Sequence, residues 1–215
     1  MSARRWLILV VLACALGWWY SPVSPRVPAA PALASGAGPA GCALPPPVAS
    51  GNEPRQSALA GAMAPIRLRA ATLSPLAGFS VDARVLSRRD YSVGREAELS
   101  PTDLALGWQA MTDDAVLSQL EINQAGRWYH YRWRGEPPIA PREIARLSAN
   151  MHLIPADAAT AKALRAVRQD DRVRIDGWLV EAQSPDGWRW RSSTRRDDAG
   201  QGGCEVVYVC AITRL

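Results

Sequence analysis

Three residues of this chain have the types needed for nucleophilic chemistry: Cys204, His152 and Asn150. A thiol attacks as its thiolate, so it needs a base nearby and a third group to orient that base. Cys204 follows a glycine-rich stretch whose backbone amides could serve as donors to an oxyanion. Two features weigh against an enzyme. No cysteine-hydrolase signature surrounds Cys204, and the alternation Cys204, Val206, Tyr208, Cys210, Ile212 puts the thiol on the apolar face of a strand, where a buried structural cysteine belongs.

A second group of residues has the makings of a contact surface. In Trp128-Tyr129-His130-Tyr131-Arg132-Trp133-Arg134, alternation separates Tyr129, Tyr131 and Trp133 from Trp128, His130, Arg132 and Arg134. The first set reads as a core face. The second combines a stacking ring with cations, as sites for polyanions or glycans do, and it also suits a solvated face on which arginine stems cover Trp128. The sequence offers no ligand spacing for a metal, no glycine-rich phosphate loop and no serine elbow, so no cofactor is expected. The acid pairs Asp113-Asp114, Asp170-Asp171 and Asp197-Asp198 fall where acids cap helices and solvate turns.

Several elements must position these groups. Phe79, Val81, Ala83 and Val85 alternate with polar residues as in a half-buried strand. Ser100-Pro101-Thr102-Asp103 predicts a helix start, with Ser as cap and Pro in the first turn. Leu120 and Ile122 lead to a polar turn at Asn123–Gly126 and then a strand over Arg127–Arg134, which predicts a hairpin. Pro141 opens a short helix through Leu147, Ser148–Pro155 reads as irregular, and Asp157 or a neighbour caps a helix from Ala158 to Val167. Val173, Ile175, Gly177 and Leu179 line one face of a strand. A turn at Ser184-Pro185-Asp186-Gly187, the alternation Trp188 to Arg191 and the run Cys204–Ile212 complete an expected three-strand antiparallel meander. The class these elements predict is α+β: one domain, an antiparallel curled sheet or small partly open barrel with two or three short helices.

The N-terminus supplies the address. Arg4-Arg5 precedes the uncharged run Trp6–Tyr20, which ends in Trp18-Trp19-Tyr20. Fifteen residues rise about 22 Å as a helix, against a hydrocarbon core of about 30 Å. Three readings stay open. An uncleaved anchor accounts for the interfacial aromatics, a signal peptide would be cut at Ala13-Cys14-Ala15, and Val11-Leu12-Ala13-Cys14 resembles a lipidation box. Residues 1–20 are therefore expected to anchor or export the chain, with its C-terminus outside the cytoplasm. Residues 21–56, rich in Pro, Ala and Gly, are expected to form a disordered tether, and residues 57–215 one globular periplasmic domain.

The net charge is +5, and Arg4 and Arg5 account for two of those charges. Lys162 is the only lysine, and the arginine, alanine and proline usage follows the codon bias of a GC-rich genome. Arginine richness therefore argues little for nucleic acid as a partner. Cys204 and Cys210 are six residues apart in one strand, about 20 Å, so a regular strand forbids a bridge between them.

The stretches LALGWQAM (Leu104–Met111), GRWYHYRWR (Gly126–Arg134), SANMHLIPA (Ser148–Ala156) and WRWRSSTRRDDAGQGGCEVVYV (Trp188–Val209) resemble a family of uncharacterised, membrane-tethered bacterial envelope proteins. What this resemblance implies is a location, and no activity comes with it. The helix followed by QDDRVRIDGWLV (Gln169–Val180) is similar to a unit of oligonucleotide/oligosaccharide-binding barrels. The expectation is a non-enzymatic module on the bacterial inner membrane, single-pass, whose periplasmic domain binds an envelope protein or cell-wall component. The alternatives are a cysteine hydrolase built on Cys204 and His152, or a glycan- or nucleic-acid-binding barrel.

Overall fold

The computed structural model describes residues 3–21, 24, 29–33, 42–59, 61, 63–195 and 204–215. Helix α1 covers Ala3–Trp19, and strands β1 (Arg55–Ser57) and β2 (Ile66–Arg67) precede the long strand β3 (Thr72–Asp90). Helix α2 (Arg95–Leu99), strand β4 (Thr102–Gly107), a 3-10 turn (Gln109–Thr112) and helix α3 (Asp114–Leu117) follow. Then come β5 (Glu121–Ala125), β6 (Trp128–Arg132), α4 (Pro141–Arg146), β7 (Ser148–Pro155) and α5 (Ala158–Ala166). Strands β8 (Arg172–Gln183), β9 (Arg189–Arg191) and β10 (Glu205–Arg214) complete the chain.

The class is α+β, built on a curled sheet, as the sequence predicts. Among the described residues an eight-stranded sheet runs β1-β3-β4-β7-β10-β8-β9, with β2 beside β3, and β5–β6 forms a separate hairpin. A further pairing of β3 with β8 closes β3, β4, β7, β10 and β8 into a ring. Bulges at Pro75/Ala77, Val85/Ser87 and Val209/Ala211 keep this ring from being a regular barrel. The sheet is mixed, because β10 runs parallel to β7.

One apolar cluster draws on all five ring strands: Phe79 and Val81 from β3, Leu104 from β4, Leu153 from β7, Ile175 from β8 and Val207 from β10. Leu164 of α5 and the following Val167 join it. The other face of the sheet buries Leu73, Ile154, Trp178, Val180, Val206 and Tyr208 beneath Ile66 and Leu68. A sheet covered on both sides loses the two-residue alternation that marks a half-buried strand.

This double burial explains two corrections. Ser148–Pro155, expected to be irregular, is β7, a central strand buried at almost every position. Thr102 and Asp103, expected in a helix, open β4, all six residues of which are buried. There the ladders to β3 and β7 outweigh the local capping signal. The predicted meander also differs. Strand β9 pairs with Glu181–Gln183 of β8, and β10 pairs with Val173–Leu179 of the same strand, so β9 and β10 follow one another along β8. The β5–β6 hairpin turns at Gly126-Arg127, both at positive φ, rather than at Asn123–Gly126. Helices α4 and α5 lie where Pro141 and Asp157 predict; the Asp157 carboxylate accepts the Thr160 N–H at 2.7 Å.

The largest departure is at the expected tether. Of its described residues, 42–56 lie along the sheet as a strap, and Leu33 ahead of them bridges Leu68. Cys42 is bonded to Cys210, with Cα atoms 5.3 Å apart. Pro45-Pro46-Pro47 has no N–H to give a ladder, so the strap docks mostly through side chains and carbonyls. Trp178 Nε1 donates to Ala43 O at 2.8 Å, and the Val48 N–H donates to Ser80 Oγ at 2.8 Å. Ser50 donates to Asp82, and Arg174 donates to Val48 O. Val48 is 4% exposed. Only at Arg55–Ser57 does the strap become a strand, paired with Gly78–Ser80. A Cβ at Gly78 would collide with Ser57 Oγ and come within 2.8 Å of Pro45 Cβ, so glycine is what lets the strap approach.

Helix α1 is apolar and exposed from Arg4 to Trp19. At 17 residues it rises about 26 Å. Among the described residues, no helix is long and apolar enough to cross a membrane. The acid pair Asp197-Asp198 and most of the glycine-rich stretch before Cys204 lie outside the described residues.

Two outcomes test these contacts. Cys42→Ser should cost about 2–5 kcal/mol in urea denaturation and expose the strap to protease, with no further loss on adding reductant. Asp157→Ala should cost about 1 kcal/mol near neutral pH. The Thr160 N–H holds the Asp157 carboxyl below the usual range. Its stabilisation is therefore complete above the ordinary carboxylate pKa and fades as pH falls through the lowered one, so the gap between wild type and Asp157→Ala should close in acid.

Candidate functional site

The face of β4 and β7 opposite the ring's core holds a buried polar cluster. Their register sets Asp103 beside His152, and both are almost fully buried. Asp103 Oδ1 lies 3.0 Å from His152 Nδ1. The contact has ion-pair distance without hydrogen-bond alignment, and among the described residues Nδ1 and Asp103 Oδ2 have no hydrogen-bond partner. Arg127 supplies the charge balance. Its Nη1 donates to Asp103 Oδ1 at 2.7 Å and to Ser100 O at 2.9 Å.

Arg127 reaches this point because it occupies the tight turn of the β5–β6 hairpin, at φ 70°. Its N–H donates to the Tyr91 hydroxyl at 3.2 Å, and its guanidinium lies 3.7 Å from the Tyr91 ring centroid. Burial, with the Asp103 charge adding to it, pushes the Tyr91 phenol up. Asn150 fixes the turn from below, donating to Arg127 O at 3.2 Å and accepting from Gln124 Nε2 at 2.6 Å.

Rings continue outward from this base. The His152 ring is 4.7 Å from Trp190, which is 5.9 Å from Trp188. Arg127 lies 5.8 Å from the Trp190 centroid, and Arg95 lies 5.5 Å from that of Trp188. Arg95 also pairs with Asp186 at 2.8 Å. Tyr91, Trp188 and Trp190 are half-buried and Arg95 is exposed. The result is a run of cations and rings over a buried carboxylate and imidazole.

The residues predicted from sequence fall in two places. Asn150 and His152 share one face of β7, and Val206 of β10 stands opposite His152, two residues beyond Cys204. Cys204 is half-buried. The side-chain amide of Asn150 is occupied by Gln124 and Arg127, so the group placed to orient His152 is Asp103. The aromatic strand is β6. Tyr129, Tyr131 and Trp133 pack on the core, as alternation predicts. Tyr129 donates to Ser148 Oγ at 3.2 Å, and burial drives its phenol far above the usual value. His130, Arg132 and Arg134 are exposed, and Trp128 is half-buried. Arg132 and Arg134 both pair with Glu121 across the hairpin, at 2.5 and 3.3 Å. Arg132 chiefly, with Arg134, holds the Glu121 carboxyl below its usual range, which leaves this face less cationic than its sequence.

Sequence reasoning missed Tyr91, Arg127 and Asp103 as site residues. Tyr91 and Arg127 become neighbours only through the fold. Asp103 carried a signal, a lone acid at the head of the apolar run Leu104–Leu106, but the expected helix start concealed it. Among the described residues no group of His, Cys, Asp and Glu is placed to hold a metal.

Removing Arg127 should leave the Asp103 carboxylate buried without its cation. Arg127→Gln is expected to cost about 3–5 kcal/mol in urea denaturation. The double variant Arg132→Gln/Arg134→Gln should change stability by no more than about 0.5 kcal/mol per site. The reverse order would mean that the β6 surface, rather than the Asp103 cluster, braces the hairpin.

Compared with protein-family models, with characterised proteins and with solved structures, the chain matches none.

Proposed function

We propose that this chain is a membrane-tethered binding module of the bacterial envelope, and that its contact surface is the run Tyr91–Arg127–Trp190–Trp188–Arg95. The observation that carries this reading is the run itself: partly exposed rings and guanidiniums, braced from below by Asp103 and His152. Rings and arginines set on a rigid base bind ligands with little loss of side-chain entropy.

The order of the ring strands supports similarity to the oligonucleotide/oligosaccharide-binding barrels. Those barrels bind ligands on the face of their second and third strands and on the loops after the first and fourth. Counted along the chain, the ring strands are β3, β4, β7, β8 and β10, so β4 and β7 are the second and third and β8 is the fourth. Tyr91 and Arg95 lie in the loop after β3, and Trp188 and Trp190 follow β8.

The address draws on two features. A disulfide is retained in oxidising compartments such as the periplasm. An exposed apolar helix with Arg4 and Arg5 at one end and Trp18, Trp19 and Tyr20 at the other suits an inner-membrane anchor, a short one accommodated by local thinning and by snorkelling arginines. A reporter active only in the periplasm, fused after Leu215, should be active, and activity of a cytoplasm-only reporter there would remove the address. The retained anchor should keep the chain in the membrane fraction through high salt and release it in detergent. Mass spectrometry of the N-terminus separates anchor, cleavage after Ala15 and lipidation at Cys14.

One observation favours a second reading. Asp103 lies 3.0 Å from His152 Nδ1, the position in which a cysteine hydrolase keeps its orienting group, and Val206, two residues beyond Cys204, stands opposite His152. Rapid alkylation of Cys204 near neutral pH, with loss of a cellular phenotype in Cys204→Ser, would move the assignment to that enzyme. An inert thiol and an unchanged phenotype leave the binding module.

A further inference from the structure

Resting on the binding-module reading, we propose that the partner of this surface is the phospholipid bilayer itself. The end of the domain that carries Tyr91–Arg95 lies on the headgroup layer of the membrane that holds α1, with Val93 pushed in among the acyl chains. Two contacts bring this end of the domain to the helix. Ser92 Oγ donates to Tyr20 O, just past the end of α1. Farther along the chain, the Arg69 N–H donates to Ala32 O at 2.7 Å, and Leu33 bridges Leu68. The chain therefore leaves the helix against the loop after β3 and returns to the turn after β2. The domain is held close to the helix end rather than far out on a spacer.

The depth of the loop follows from the helix. A membrane helix sets its terminal aromatic residues in the interfacial layer, and Trp18, Trp19 and Tyr20 are all exposed. The loop bonded to Tyr20 shares that layer. Its Val93 is 69% exposed, more than any other large apolar residue described. Gly94, at φ 104°, gives the chain the sharp bend that leaves Val93 at the tip. In water such a valine gains nothing, whereas at the boundary of headgroups and acyl chains its side chain is withdrawn from water.

The groups around the tip match a zwitterionic headgroup, which presents a phosphate and an ammonium side by side. Arg69 and Arg89 are exposed, and among the described residues neither forms an ion pair, so both are available to phosphate oxygens. Glu98 stands with Arg95 and Asp186 in the cleft between α2 and the Ser184–Gly187 turn, where it offers a carboxylate to the ammonium. Trp188, with Arg95 5.5 Å from its ring centroid, adds an amphipathic ring of the kind that interfaces favour. A polyanion would meet Glu98 and Asp186 along with the arginines, while a headgroup of both signs satisfies all of them.

The test uses the full chain in vesicles of phosphatidylethanolamine and phosphatidylglycerol, with amide hydrogen exchange read by mass spectrometry in wild type and in Val93→Asp. Val93 is exposed, so the substitution should leave the thermal unfolding midpoint unchanged. Exchange over residues 91–95 and 68–71 should be about tenfold slower in wild type, the factor expected for drawing one valine side chain out of water. The second segment is remote in sequence from the substitution, so a merely local loosening of the loop would not reach it. Exchange over residues 134–136, past the far end of β6, should be the same in both chains. Equal exchange over 91–95 and 68–71 in the two chains, with both floating on the vesicles, overturns the bilayer as partner. Protection of 91–95 in isolated envelopes but not in vesicles gives the surface to another envelope component, and the binding module then stands without the lipid. If wild type fails to float with the vesicles at high salt, the tether falls, and the membrane-tethered reading falls with it.

Discussion

The ring depends on the pairing of β3 with β8. Twelve residue pairs, from Thr72↔Gln183 to Arg84↔Arg172, join strands about a hundred positions apart in the chain. Without them the sheet would be an open ribbon, its two longest strands would present unpaired edges, and the cluster of Phe79, Val81, Ile175 and Val207 would face water. Closing so long a loop costs entropy, which the pairs recover together because most of them also bury a side chain. Everything the surface does follows from that closure. It gives the sheet an inner face that is filled and an outer face that can be partly occupied by the strap and partly by the ring-and-cation run.

The two occupants of the outer face are held by different physics. The strap is a proline-rich segment with few backbone donors to offer, so it lies down through a disulfide, a buried valine and side-chain hydrogen bonds from the sheet. The β5–β6 hairpin is held by a charge. Asp103 is fully buried, and Arg127 reaches in from the hairpin turn to neutralise it while stacking on Tyr91. A buried carboxylate without its cation is costly, which makes the hairpin turn a fixed part of the fold. The geometry of the proposed contact surface is thus set by a desolvated ion pair, while its outer rings and Arg95 stay available.

Legibility followed burial on one face or two. The helices at Pro141 and Asp157, the strand Val173–Leu179 and the Tyr129/Tyr131/Trp133 face were readable because a polar side alternated with an apolar one, or because a cap marked the end. Strand β7 was not, since residues buried on both faces show no period, and β4 was hidden behind a good helix cap. The candidate site was harder still. His152 and Asn150 were noticed for their types, but their partners Asp103, Tyr91 and Arg127 come from three other segments that only the ring brings together. Cys42 could not be matched to Cys210 from spacing, because a separation of 168 residues carries no geometric information until the fold supplies it.

The bond between Cys42 and Cys210 also decides how the domain would carry a mechanical load. Among the described residues the path from α1 meets its first covalent cross-link at Cys42 and passes there directly to β10, so once the contacts of Ala32 and Leu33 with Arg69 and Leu68 give way, tension on the N-terminal helix bypasses the strap and strands β1 to β9 as a series element. A pull cannot peel the strap or unzip β1 from β3, because the segment between the two cysteines is a closed covalent loop. Force instead arrives in β10, which is clamped between β7 on one side and β8 on the other. Ladders loaded along their length must break many bonds at once, whereas a ladder pulled from its end breaks them singly. A domain hung from a membrane by this bond would therefore keep its ring, and the surface on the ring's far strands, under tension that would strip an N-terminal strand from an unbridged barrel.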